Sequence, residues 1–123
     1  MKRMLLIFVC AMAHSTASHA QSCLMQGTVF GKPVKECLTN ESLAKDAFDA
    51  LCTAWDKHPV SGIESKTTYP ASCPAGYAGF CVSTFTGSSA SMRHYFYDKA
   101  IVARAKKSCG AQNPLTSGVW HDQ

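Results

Sequence analysis

The chain has 123 residues, 46% hydrophobic and 16% charged, with twelve basic residues, eight acidic residues and a net charge of +4. This length supports a single domain with a modest core, and so slight an excess of positive charge argues against nucleic acid as a partner. Seven cysteines are the strongest compositional signal: Cys10 stands in an N-terminal apolar run, and the other six follow it.

Residues 1–20 have the form of an export signal. Lys2 and Arg3 precede an uncharged run from Met4 to Ala13, and Ser18 and Ala20 place small residues at the positions that specify cleavage. Cleavage is expected near Ala20, leaving residues 21–123 as one disulfide-stabilised domain, periplasmic or secreted. The apolar run is half the roughly twenty residues of a membrane-spanning helix, so no membrane span is expected. Loss of Lys2 and Arg3 leaves ten basic residues against eight acidic ones, a net +2. Cys23, Cys37, Cys52, Cys73, Cys81 and Cys109 then form an even set in an oxidising compartment, which reads as a disulfide framework.

Residues 23–38 alternate around Gly31, Lys32 and Pro33 and predict a first hairpin. Cys23 and Cys37 lie symmetrically about Phe30, so their pairing is the first expected bridge. Asn40 is a candidate helix cap, with Glu41 in the first turn and a helix to about Asp56. Its apolar face would carry Ala44, Phe48, Leu51, Cys52 and Trp55.

Residues 57–74 contain Pro59, Gly62, Pro70 and Pro74 and predict an irregular connection, with a possible short edge strand over 64–69 and Cys73 as its tether. Residues 80–85 and 92–97 predict a second hairpin joined by a polar turn. Asp98 caps a second helix with Ile101, Val102, Ala105 and Cys109 on one stripe and Gly110 at its end. The tail to Trp120 is loop or short strand. The expected architecture is α+β in the order β-β-α-β-β-α, with the helices on one side of an antiparallel sheet. Bridges from helix to sheet are favoured for the remaining cysteines, as Cys52 with Cys81 and Cys73 with Cys109.

Catalytic and metal signatures are weak. The six later cysteines include no Cys-x-x-Cys pair, and His58, His94 and His121 are scattered, so neither a metal site nor a redox site is expected. Ser83, Ser88, Ser89 and Ser91 lie near His94 without a nucleophile elbow, in a stretch where a turn wants polar residues. Among the carboxylates, Glu64 alone lacks a structural place. No catalytic residue, cofactor or metal is assigned. Arg93 with Tyr95, Phe96 and Tyr97 has the composition of a stacking platform, although strands commonly carry such rings for packing. The late cations Arg93, Lys99, Arg104, Lys106 and Lys107 read mainly as a solvated helix face.

Leu51-Cys52, Cys73-Pro74, Cys81, Tyr95-Phe96-Tyr97, Cys109 and Gly118-Val119-Trp120 together resemble small exported cysteine-containing proteins of proteobacteria, a group without an established function. Gly118 stands where that group would place a glycine pair. The resemblance implies a periplasmic address and carries no active-site residue. With a stapled scaffold that loses little entropy on docking, it leads us to expect a non-enzymatic binding protein of the cell envelope, such as an inhibitor or immunity-type protein. Its candidate surface for a protein partner is Tyr69, Tyr77, Arg93, Tyr95 and Tyr97. A structural accessory of an envelope or secretion assembly is the alternative, and a cell-wall hydrolase is a third.

Overall fold

A computed structural model describes residues 22–54, 56, 61–111 and 115–123. The expected export signal and cleavage site, Trp55, His58 and Pro59 lie outside the described residues.

Six strands form one antiparallel sheet: β1 (Ser22–Val29), β2 (Lys32–Asn40), β3 (Ile63–Thr68), β4 (Gly79–Phe85), β5 (Ser91–Phe96) and β6 (Thr116–Asp122). Helix α1 (Lys45–Thr53) precedes β3, and α2 (Val102–Gly110) precedes β6. The spatial order β3-β1-β2-β5-β4-β6 divides into two units of identical plan. In each, a hairpin is followed by a nine-residue helix and a strand that returns to pair with the first strand of its own hairpin. The units meet where β2 pairs with β5, with Leu38 opposite His94. The order is therefore β-β-α-β-β-β-α-β: an edge strand lies at 63–68 and the tail supplies another. Both additions follow from the sheet's need to satisfy the outer backbone groups of β1 and β4.

The disulfides follow the same plan and correct the sequence-based pairing. Cys23 bonds Cys52 and Cys81 bonds Cys109, with separations of 29 and 28 residues, and Cys37 bonds Cys73. Cys23 does not pair with Cys37 because the hairpin turns on two residues, Phe30 and Gly31, both at positive φ, as tight hairpin turns matched to strand twist require. The centre of symmetry falls after Phe30, so Cys23 faces Leu38 and Cys37 faces Leu24. A one-residue slip puts the two cysteines on opposite faces of the sheet. Cys52 with Cys81 and Cys73 with Cys109 are replaced likewise, each helix being stapled to the first strand of its own unit.

Cys23, Leu38, His94 and Cys81 form one cross-strand row and so share a face, to which both helix cysteines are tethered. The first unit's core lies there: Cys23, Met25, Leu38, Phe48 and Cys52 are buried, with Leu43, Leu51 and Met92 packed against them. Asn40 does not cap α1; its side chain accepts from Leu43 N and donates to Leu43 O, and the helix starts five residues later. Asp98 does cap, accepting from Ala100 N in the 3-10 turn that leads into α2.

Candidate functional site

The two faces of the sheet offer two different sites. On the face away from the stapled helices, period-two alternation gathers rings from three strands. Phe80 stands opposite both Tyr95 and His121. Its ring lies 5.1 Å from that of Tyr95 and stacks on His121 at 4.8 Å, while Tyr77 meets Tyr95 edge-on at 4.8 Å. Arg93 sits over Phe80 at 5.5 Å and pairs with Glu41. Lys35 sits over the Tyr97 ring at 4.5 Å. Such cation–ring contacts contribute about 0.5–1 kcal/mol where exposed.

The connection after β3 is strapped to this face. Cys37 anchors Cys73, Tyr97 donates its hydroxyl to Pro74 O at 2.7 Å, and Ala78 N donates to Phe96 O. Burial, reinforced by the neighbouring Tyr95 and Tyr77, pushes the Tyr97 hydroxyl up to about 12. Hydrogen bonding with Tyr95 and the charge of Glu41 raise the Arg93 guanidinium further.

The structure thus brings together Tyr77, Arg93, Tyr95 and Tyr97. Tyr69 is 48% exposed and shares none of these ring contacts. Sequence reasoning missed two members. Phe80 was legible from alternation in β4, whereas His121 joins only through the pairing of β6 with β4.

On the opposite face, a cleft of about 460 Å³ lies between α2, which packs on β4 and β6, and the β2–β5 part of the sheet. Val29, Val34, Phe96 and Ile101 supply its apolar walls, and Glu36, Ser83, His94, Arg104 and Ser108 its polar groups. Glu36 is buried and its Oε2 lies 2.6 Å from His94 Nε2. The His94 ring stacks on Phe96 at 4.2 Å. Ser83 Oγ lies 3.5 Å from Cys81 Sγ, within the disulfide's surroundings. No sequence signal paired Glu36 with His94, because they are 58 residues apart and adjacent only through β2–β5 pairing.

Glu64, the carboxylate without an assigned place, is exposed on β3. Among the described residues, no three metal-binding side chains gather, and no helix is long and apolar enough to cross a membrane. No family model, curated protein or solved structure matches the chain.

Proposed function

We propose that the chain is an exported, non-enzymatic binding protein of the bacterial cell envelope, of inhibitor or immunity type, which holds a protein partner on its aromatic face. The observation that supports this reading is the preorganised cluster of Tyr77, Phe80, Tyr95 and His121 flanked by Arg93 and Lys35. Rings and arginine dominate protein-binding hot spots because they bring large contact area and directed polarity at low entropic cost. Here two disulfide-linked and hydrogen-bonded segments already fix the rings, so little ordering remains on docking.

The test is capture from a periplasmic extract by the oxidised chain, in parallel with Tyr77→Ala and Tyr95→Ala variants whose disulfides are verified. A single partner captured by the parent and lost by both variants is expected. Equal capture by all three removes the aromatic face as the binding surface. Co-elution of the parent with a large envelope complex, insensitive to both substitutions, points instead to a structural accessory.

A further inference from the structure

The two units can be compared position by position, because the helices have equal length and carry their bridged cysteine at the same point. In the first unit the fourth and seventh helix residues are Phe48 and Leu51; in the second they are Ala105 and Ser108. The strand positions follow the register. Met25 stands opposite Thr67 and Ser83 opposite Gly118, while Leu38 and His94 meet at the junction of the units. Across that junction Met92 packs on the first core, and Glu36 occupies the matching place in the second.

The cleft is therefore the counterpart of a packed core. Where the first unit has Met25, Leu38, Phe48, Leu51 and Met92, the second has Ser83, His94, Ala105, Ser108 and Glu36. Each of these five exchanges reduces apolar volume or introduces a hydrogen-bonding group, while Phe96 and Ile101, which stand where the first unit has Asn40 and Ala44, keep apolar walls around the hollow. Stability alone favours the opposite, since replacing both partners of a buried hydrogen-bonded pair by apolar groups is nearly neutral or stabilising and unfilled core volume costs free energy. A unit that has a workable packed solution beside it, yet keeps a polar hollow, meets the description of a ligand site: concave, mostly apolar, with a few convergent polar groups.

We infer that this cleft binds a small apolar zwitterion, of the size and chemistry of an unmodified dipeptide. The charges specify both ends. Glu36 is a buried carboxylate with one oxygen engaged by His94, and its other oxygen is suited to an ammonium group. Arg104 is exposed on the α2 wall and long enough to reach a carboxylate at the mouth. Between them Val29, Val34, Phe96 and Ile101 offer apolar contact, and Ser83 and Ser108 offer hydrogen bonds for a peptide group. The site is separate from the aromatic face and does not depend on a protein partner binding there.

The probe is the dipeptide Leu-Phe, titrated into the isotopically labelled, fully oxidised chain and followed by amide resonances. N-acetyl-Leu-Phe, which lacks the ammonium, and Leu-Phe amide, which lacks the carboxylate, serve as controls. Leu-Phe is expected to perturb Val34, Phe96 and Ala105, with each control binding at least about tenfold more weakly, the equivalent of one lost charge-assisted contact. Glu36→Gln should weaken Leu-Phe without changing the N-acetyl form, and Arg104→Gln should weaken Leu-Phe without changing the amide. Arg104 is exposed, so its variant folds even if Glu36→Gln does not. Equal binding of all three compounds, perturbation outside the cleft, or no response at about 1 mM, the weak end of specific recognition, overturns the assignment.

Discussion

Phe48 and Leu51 fill the first unit over Cys23–Cys52, whereas Ala105 and Ser108 border a cleft beside the buried Cys81–Cys109. The backbones follow one plan, and the bridges close loops of almost equal length, so chain entropy makes their contributions similar. What differs is the division of labour between packing and crosslink. The first unit holds its helix by an apolar core and a disulfide together. The second holds α2 by its disulfide, by contact with β4 and β6, and by the Lys106–Asp122 pair, which is exposed and adds little. A repeated fold can thus keep one copy as the stabilising half and free the other for recognition.

The sharpest way to break this comparison is to exchange the filling residues. Phe48→Ala should destabilise the chain by about 3–5 kcal/mol, as loss of a buried aromatic ring does, measured by urea unfolding with disulfides intact. Ala105→Phe should stabilise it by about 0.5–2 kcal/mol, the usual return for cavity filling, and abolish Leu-Phe binding. If the two substitutions shift stability by similar amounts in the same direction, the second unit is packed as tightly as the first and the contrast is lost.

A smaller effect is expected at the Glu36–His94 pair. His94→Leu copies Leu38 but strands Glu36, and should cost about 1–3 kcal/mol. Adding Glu36→Met completes the apolar set of the first unit, so the double variant should regain that loss and reach at least parent stability, as replacing both partners of a hydrogen-bonded pair by apolar groups can do. A double variant as unstable as the single one would show that the hollow lacks room to repack. Calorimetry on the parent, single and double variants distinguishes these cases.

Gly118 separates the units at the edge strand. A Cβ there would sit 2.2 Å from Cys109 O and 2.9 Å from the sulfurs of Cys81 and Cys109. The matching Thr67 carries a side chain whose hydroxyl donates to Cys52 O at 3.4 Å. Gly118→Ala should therefore destabilise by about 1–3 kcal/mol, the ordinary cost of overpacking, and increase amide exchange in α2 and β6 ahead of α1. Uniform exchange changes across both helices would contradict independent closure of the units.

The smallest effect concerns the strapped aromatic face. Burial raises the folded-state Tyr97 hydroxyl to about 12, whereas an unfolded tyrosine titrates near 10. The neutral phenol is favoured by folding, so its contribution is fully present below about pH 10 and is lost as pH rises toward 12. Phenolate absorbance should show one late-titrating tyrosine that disappears in Tyr97→Phe. Its persistence in that variant would assign the late step to another ring.

Much of the fold was legible along the chain. Alternation marked both hairpins, helical spacing placed Phe48, Cys52, Ala105 and Cys109 inward, and Asp98 announced its turn. The cysteine count called for a framework, and helix-to-sheet stapling was the right kind of connection. Arg93, Tyr95 and Tyr97 were chosen from composition and strand period and Tyr77 from the loop before the second hairpin, and the fold gathers them on one face. Tyr69 was chosen from the same loop and stands exposed just past the end of β3, outside the ring contacts.

The individual bridges were not legible, because register depends on whether the first turn takes two residues or three, and that single step moves Cys37 to the other face. The two-unit plan was hidden as well. Its matched positions share almost no residue identity: Leu38 answers His94, and Phe48 answers Ala105. Local sequence determines where strands and helices form, since alternation, caps and turn residues act over a few neighbours. Only the tertiary pairing of β2 with β5 placed Glu36 on His94, aligned a packed core with a polar hollow, and gave the second unit a cleft.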